Sequence, residues 1–550
     1  MYSYRATAAA RAEEGSGQRA AAGARLAAAG PRLAAAGLAL AVIGVYLTIA
    51  LSRLTYPFTI EWLESNSLVE VHRILAGQQL YTAPSVGYVP DGYPPLYFAV
   101  SAAVARVLGP SYLPLRLVSL VSSLACFALL GRLVQRETGR AGAGIAAAGV
   151  LAATYFATGT WFDVGRVDSL FLALSVAGLY AARWMQRTRG AVTAGVLLAA
   201  AFLTKQNGLA EGAAVLAALA CGPRPRRRLA VPATLSYAIV LAVSTLVLGV
   251  TSRGWYLYYV FEQMGEQPLK DAAIVQFWTV SLLPVLGFAV CAAVLGARRT
   301  PLVLIAGCAA LVVEGYAALV HGGGTSNDLL PSCLAVALLA GLAMGGTPGG
   351  LMADGADRLA RGRIAGWRTG QAGGWVAAAA GGLVIAQLAV LFSGFRPDQV
   401  IPVTADRAVG ARLTAGVRAL GGTVAVPADP GLDLIAGRPA VAHQGAVADV
   451  LRATDQAAIT SFTRSAARAV AMQRFSAIIV ELNTDLNGFP ADLDRYYRRC
   501  PQMLLSGVPS AWFRPVTGAR ARPVWVWLPA GRGSCAAVAG VLDGSSGGTA

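Results

Sequence analysis

LAAAGLALAVIGVYLTIALS (33–52) is the apolar run that decides the fold, and the polar segment TIEWLES (59–65) follows it closely. A helix needs roughly 20 predominantly apolar residues to cross a bilayer. The run follows an Arg-bearing head without a clear small-residue cleavage site, which favours an uncleaved anchor over a signal peptide. Ten further apolar runs approach or reach this length, at 112–131, 141–158, 168–182, 191–203, 208–221, 229–250, 274–296, 301–320, 329–346 and 374–394. The sequence therefore predicts an all-α polytopic membrane domain with about eleven transmembrane helices.

The composition agrees with this class. Of the 550 residues, 56% are hydrophobic and only 13% are charged, whereas soluble domains carry about 25% charged residues. The mean hydropathy is +0.56. These values exclude a soluble enzyme, a secreted disulfide scaffold and a disordered chain. Only two of the 45 cations are lysines, Lys205 and Lys270, so a single arginine carries little information here.

The distribution of charged residues among the loops explains the net charge of +17 as a consequence of membrane topology. The segment 93–109 is ambiguous, because it is short, opens with two prolines and contains Arg106. If it is interfacial and the N-terminus is cytoplasmic, the inner loops hold 21 cations and 5 acids, and the outer membrane loops hold 8 and 12. Cytoplasmic loops of membrane proteins are enriched in Lys and Arg. We therefore expect a multi-pass protein of the cytoplasmic (inner) membrane, with its C-terminus outside and no nucleic-acid partner.

The chain changes character after the last run. TVAVPA (423–428), FSAIIVEL (475–482) and RPVWVWLPA (522–530) have the pattern of strands, and the region 455–474 that of a helix. We expect a cytoplasmic tail at 1–32, a transmembrane domain at 33–394, a small extracytoplasmic α/β domain at 395–540 and a disordered tail at 541–550. The sequence leaves open whether Cys500 and Cys535 form a disulfide.

Polar residues of the membrane part gather at the predicted outer ends of helices, and charges at membrane depth are functional candidates. Glu61 and Glu64 share a face if their segment is helical. Such a carboxylate can act as a general base toward a hydroxyl or hold a divalent cation. The alternative is a solvated loop helix.

Two further turns carry charges. Asp163 and Asp168 flank Arg166 in a short turn, where a local ion pair that closes the turn is the alternative to a function. Lys205 ends an apolar helix, and an outward ammonium suits a phosphate leaving group. Its alternative is an anchor to lipid headgroups.

The loop at 321–328, HGGGTSND, contains three consecutive glycines. It is predicted to form either the rim of a pocket or a purely structural turn. The lipase interpretation of HGGG is discarded, because no GxSxG nucleophile elbow accompanies it. Hydrogen-bonding side chains that we expect to bind substrate lie here and near the charged turns. They are Glu64, Tyr93, Gln206, Asn207, His321 and Asn327.

The ordered set of these strings over about 40–330 resembles the GT-C glycosyltransferases, integral membrane enzymes that use a polyprenyl-phosphate-linked sugar as donor. The aminoarabinose transferases and protein O-mannosyltransferases are similar in pattern. The resemblance rests on Glu61 soon after the first helix, LAGQQLY (75–81), GYPPLYF (92–98), VGRVDSLF (164–171) and LTKQNGL (203–209). Several relatives have an Asp or an Asp-Glu pair where this chain has Glu61 followed by Trp62.

The resemblance implies roles for these residues. Glu61 would be the catalytic base or a metal contact, Asp168 or Asp163 the second acid, and Lys205 the contact to the donor phosphate, with Arg166 beside it. A divalent metal (Mg or Mn) held by Glu61 and Asp163 stays open. The implied reaction transfers a hexose or pentose to an acceptor hydroxyl at the outer face, with inversion.

The partners implied are the polyprenyl-phosphate sugar, membrane lipids and an acceptor that is a lipid, a glycan or a protein. A transporter or lipid flippase is the main alternative, and it predicts inverted repeats and midplane charges. A non-catalytic envelope assembly protein is the third possibility, and it would need neither Glu61 nor Lys205.

Overall fold

The structure, a computed structural model, describes residues 29–297, 300–346, 363–480, 486–520 and 522–543. Most of the predicted N-terminal tail 1–32, and residues 544–550 of the predicted C-terminal tail, lie outside the described residues. Each of the eleven predicted apolar runs coincides with helical structure.

The first half of the chain contributes nine helices to the described part. They are α1 (Ala29–Leu54), α2 (Glu64–Leu75), α3 (Leu96–Leu108), α4 (Tyr112–Thr138), α5 (Ala141–Ala157), α6 (Asp168–Trp184), α7 (Thr188–Thr204), α8 (Gly208–Ala220) and α9 (Arg224–Thr251). The ambiguous segment 93–109 forms α3, whose 13 residues are fewer than a bilayer crossing requires. A pair of prolines, Pro94 and Pro95, immediately precedes this helix.

The middle of the chain is less regular. Two π-helical segments interrupt it, at Tyr258–Glu262 and Phe277–Leu282. The other elements are α10 (Trp255–Leu257), α11 (Gln263–Gly265), α12 (Asp271–Gln276), α13 (Leu283–Gly296), α14 (Leu302–Val320), the 3-10 turn Ser326–Leu329, α15 (Leu330–Gly345) and α16 (Arg363–Ser393).

Seven helical stretches of the described chain are long and apolar enough to cross a membrane. They are Ala29–Leu54, Tyr112–Thr138, Arg224–Thr251, Asp271–Gly296, Leu302–Val320, Ser326–Gly345 and Gly374–Ser393. The other four predicted runs form α5 to α8, which have 13 to 17 residues. The chain is thus a multi-pass membrane protein, and the predicted count of about eleven spans is not established.

Small residues let the membrane helices approach closely, as is usual inside membranes. A Cβ at Gly144 of α5 would lie 2.2 Å from the carbonyl oxygen of Gly131 in α4. A Cβ at Gly149 would lie 2.1 Å from the Cβ of Ala39 in α1. The Ala and Gly bias of the sequence therefore serves the packing of α1, α4 and α5.

The C-terminal region forms a small mixed sheet with helices, as the strand patterns predict. Its strands are β1 (Thr423–Ala425), β2 (Phe475–Val480), β3 (Tyr497–Arg499) and β4 (Trp525–Pro529), in the order β1-β2-β4-β3. β1 and β2 are parallel, and the other pairs are antiparallel. Its helices are α17 (Thr404–Ala419), α18 (Pro430–Ile435), α19 (Gln444–Arg452), α20 (Gln456–Ala471), α21 (Leu493–Tyr496) and α22 (Cys535–Asp543). Cys500 and Cys535 form a disulfide.

Candidate active site

The loop after α1 places two glutamates at the start of α2, in different environments. Glu61 precedes the helix, and its carbonyl accepts a hydrogen bond from the N–H of Glu64 at 3.0 Å. Glu64 occupies the first turn, where the helix dipole favours an acid. Both side chains are fully buried. Both carboxylates are therefore removed from bulk water.

Glu64 is saturated by donors. Its carboxylate accepts from Nε and Nη2 of Arg116 at 2.8 and 2.7 Å. The backbone N–H groups of Ile60 and Gly165 donate to it at 2.9 and 2.7 Å. Burial alone would raise its pKa, but the Arg116 guanidinium and these donors hold the pKa of Glu64 below its ordinary value. The predicted substrate-binding role of Glu64 does not fit these contacts, which make it a structural tie between loop and helices.

We expect Arg116→Leu to lower the free energy of unfolding by about 3–5 kcal/mol, because it leaves the Glu64 charge buried without its partner. Thermal melting of the purified protein in detergent measures this. Exposed Arg106→Leu is the control, and Arg116→Leu combined with Glu64→Gln should recover part of the loss, because it removes the unpaired charge and keeps an acceptor for the N–H groups of Ile60 and Gly165. An unchanged melting temperature in the single variant would contradict the assignment.

Glu61 has the opposite environment. Neither of its carboxylate oxygens has a hydrogen-bond partner among the described residues. The nearest cation is Arg166, whose Nε lies 3.7 Å from Oε2. Burial raises the pKa of Glu61 to about 8, although Arg166 and the nearby backbone N–H of Leu63 oppose the shift. A buried carboxyl with free oxygens and a pKa near neutrality has the properties of a general base.

Arg166 links this loop to the one before α3. Its Nη1 donates to Asp91 at 3.2 Å, and its Nη2 donates to the hydroxyl of Tyr93 at 3.2 Å. The guanidinium also lies over the Tyr93 ring, 5.3 Å from its centre. The Nε atom has no hydrogen-bond partner within the described chain. Asp91 was not singled out from the sequence, although it directly precedes the string GYPPLYF (92–98).

A second cation also lies near the Tyr93 ring. Lys205 follows α7 and donates to Asp168 and Asp328, each at 2.9 Å. Asn327 donates to the same Asp168 oxygen at 3.1 Å. Burial would lower the pKa of Lys205, but the two carboxylates raise it above its ordinary value. The ammonium lies 6.0 Å from the centre of the Tyr93 ring.

The structure thus brings together six predicted residues in one row, of which all but the partly buried Tyr93 are buried: Glu61, Arg166, Tyr93, Lys205, Asp168 and Asn327. Gln206 borders the row, since its amide donates to the carbonyl of Gly92 at 3.0 Å. Asn207 and His321 bond elsewhere, to the carbonyls of Glu314 and Met264 at 3.5 and 3.1 Å. Those two lie outside the row.

Asp163 lies apart from Asp168 despite their proximity in sequence. Its carboxylate receives Nε and Nη2 of Arg53, at 2.8 and 3.1 Å, and the Tyr155 hydroxyl at 2.8 Å. Both oxygens are therefore taken by Arg53, and the predicted Glu61–Asp163 metal pair does not fit this arrangement. Among the described residues, no group of three or more His, Cys, Asp or Glu side chains has a metal-binding arrangement.

The chain and its fold are similar to known membrane proteins. Residues 92–250 match the family model described as dolichyl-phosphate-mannose-protein mannosyltransferase. The structure is similar to that of ArnT from Cupriavidus metallidurans bound to undecaprenyl phosphate, with a TM-score of 0.53 and 14% sequence identity over 89% of this chain and 98% of that chain. The apo structure of ArnT is equally similar, with a TM-score of 0.53 and 13% identity over the same shares. No curated protein matches the chain by sequence.

These findings confirm the GT-C resemblance that the sequence motifs indicated. The structural likeness establishes the fold, and the family model covers the segment that carries Tyr93, Asp168, Arg166 and Lys205. Together they make the chain similar to membrane glycosyltransferases and do not favour the transporter alternative.

Proposed function

We propose that the protein transfers a sugar from a polyprenyl-phosphate donor to an acceptor hydroxyl at the outer face of the membrane, with inversion. The observation that carries the proposal is the row in which Glu61, with free carboxylate oxygens, stands beside Arg166, Tyr93 and Lys205. Polyprenyl phosphate as the donor lipid is supported by its presence in the similar ArnT structure. The predicted outer orientation is supported by the distribution of Lys and Arg among the loops.

In the proposed reaction, Glu61 removes the proton of the acceptor and polyprenyl phosphate is the leaving group. The carboxylate of Glu61 takes the proton of the acceptor hydroxyl, and the acceptor oxygen attacks the anomeric carbon. The bond between that carbon and the phosphate oxygen breaks, and the electron pair leaves with polyprenyl phosphate. Because the new bond forms opposite the leaving group, the anomeric configuration inverts.

The two cations receive the departing phosphate. Lys205 has three N–H donors, and its two carboxylate partners use two of them. Arg166 has Nε without a hydrogen-bond partner in the described chain. Fixed donors in a buried site stabilise developing negative charge more strongly than water does. Asp168 and Asn327 hold the ammonium in place, so in this mechanism Asp168 positions Lys205.

The direct test is incubation of the purified protein in liposomes with a radiolabelled polyprenyl-phosphate sugar and a mixed envelope acceptor fraction. We expect label to move from the donor lipid to an acceptor, with release of polyprenyl phosphate. Label that crosses the bilayer while still on the donor lipid would favour a flippase instead.

The rate of transfer should depend on pH through Glu61. Because its pKa is raised to about 8, most of it is protonated at pH 7 and cannot accept a proton. We expect kcat/KM to rise about tenfold per pH unit below pH 8 and to level above it. A rate–pH profile between pH 5.5 and 9.5 measures this. The residual activity of Glu61→Gln should not show the rise below pH 8. A flat wild-type profile would contradict Glu61 as base.

A further inference from the structure

The C-terminal domain reaches into the site at the segment that carries Glu61. The carbonyl of Ile60 accepts from the N–H groups of Val516 and Thr517 at 2.9 and 3.1 Å, and the N–H of Trp62 faces the carbonyl of Thr517 at 3.4 Å. The hydroxyl of Thr517 also contacts that of Thr160 at 2.6 Å. One loop of the C-terminal domain therefore ties the segment before α2 to the turn that leads to Arg166.

A second part of the same domain holds the segment from another side. His443 is fully buried, and its Nε2 donates to the carbonyl of Trp62 at 2.9 Å. Its Nδ1 accepts from the N–H of Gly445 at 2.9 Å and caps α19. Burial lowers the pKa of His443 to about 4, so the ring is neutral and both bonds persist at physiological pH.

Gly518 sets the distance between the loop and the base. A Cβ at this position would lie 2.2 Å from Cδ1 of Trp62 and 3.2 Å from Oε1 of Glu61. Any side chain there must displace Trp62 or the carboxylate. Gly518 also has φ of +74°, which side-chain-bearing residues rarely adopt.

We propose that His443 and the loop 516–518 are positioning residues for Glu61, so that the active site is complete only when the C-terminal domain is docked on the loop after α1. This inference rests on the proposed function and assigns the C-terminal domain a role in the reaction. The domain fixes the backbone on both sides of the base, and a base displaced by about 1 Å loses about 100-fold in rate.

The two ring nitrogens of His443 allow a matched pair of variants in the full-length protein. His443→Gln keeps a donor near the position of Nε2, whereas His443→Asn keeps the acceptor near Nδ1 and with it the cap of α19. We expect His443→Asn to lower kcat about 10- to 100-fold, with the donor KM within about twofold of wild type. His443→Gln should restore most of kcat. A role confined to capping α19 predicts the reverse order.

The matched pair for the loop is Gly518→Ala against Gly437→Ala. Gly437 has the same φ of +74°, but no atom lies within 4 Å of a Cβ built on it. We expect kcat to fall about 100-fold in Gly518→Ala and to stay at the wild-type value in Gly437→Ala. Equal kcat in Gly518→Ala and wild type would overturn the proposal.

Hydrogen–deuterium exchange of the peptide 59–65 gives a readout that needs no substrate. We expect faster exchange in His443→Asn and Gly518→Ala than in wild type, His443→Gln and Gly437→Ala. If the wild type transfers no sugar, the proposed function fails, and this exchange pattern still decides whether the domain positions the segment. If the wild type transfers sugar while His443→Asn and Gly518→Ala keep wild-type exchange and kcat, the positioning role alone is wrong.

Discussion

Glu61→Gln is expected to lower kcat for sugar transfer by about 100- to 10,000-fold, the range that a positioned general base contributes. The amide fills the same space but cannot accept the acceptor proton. The substitution weakens only the attraction of Arg166, whose Nε lies 3.7 Å away, and an amide oxygen can still face the N–H of Leu63. We therefore expect the melting temperature and the donor affinity to stay close to wild type while the transfer rate falls.

Glu137→Gln is the matched control for this change. Glu137 pairs with Arg183 at 2.6 Å in the last turn of α4, the helix that carries Arg116 in its second turn. The two turns are about 30 Å apart at 1.5 Å per residue. We expect wild-type kcat in Glu137→Gln. Wild-type kcat in Glu61→Gln as well would mean that the base is another residue.

Lys205→Met is expected to weaken binding of polyprenyl phosphate about 10- to 100-fold, since a hydrogen bond to a charged group contributes about 1.5–3 kcal/mol. It also leaves Asp168 and Asp328 buried without their cation, which costs stability. Titration with a fluorescent polyprenyl phosphate measures the affinity, and thermal melting measures the stability.

Two further variants separate these effects. Lys205→Met with Asp328→Asn restores the net charge of the cluster, so we expect most of the stability to return while binding stays weak. Lys270→Met removes the other lysine, which donates to the carbonyl of Gly324 at 2.9 Å and lies outside the row. Its donor affinity should equal that of wild type. Wild-type affinity in Lys205→Met would contradict the assigned phosphate contact.

The sequence predicts the helices well because apolar runs of membrane length are a local signal. The 13-residue helix α3 is detected by the same signal, since its segment is apolar but short and contains Arg106. The four short helices α5 to α8 show the limit of prediction from hydropathy. Hydropathy detects them, but it does not decide whether helices of 13 to 17 residues cross the bilayer.

The candidate site is predictable only in part, because ion pairs between distant residues decide each role. Asp163 and Asp168 look equivalent in WFDVGRVDSL, yet one faces Arg53 and the other faces Lys205. Glu61 and Glu64 look equivalent in TIEWLES, yet Arg116 neutralises only Glu64. Arginine is so frequent in this chain that the sequence did not single out Arg53 or Arg116 as the partners. Lysine is rare, and Lys205 was therefore predicted.

The contribution of the C-terminal domain had no sequence signal. His443 and Thr517 meet the Glu61 segment across more than 380 positions of the chain, through backbone atoms that any residue at 60–62 would present. Asp328 and Asp91 differ from these, because Asp328 lies in the predicted pocket rim 321–328 and Asp91 directly precedes GYPPLYF (92–98).

Single-turnover assay of the purified protein with a radiolabelled polyprenyl-phosphate sugar tests the central claim most directly. Wild type, Glu61→Gln and Lys205→Met are compared at pH 8.5. The account predicts transfer with inverted anomeric configuration in wild type, a loss of about 100-fold or more in Glu61→Gln with donor still bound, and weakened donor binding in Lys205→Met. Transfer by Glu61→Gln at the wild-type rate, or retention of configuration, would contradict it.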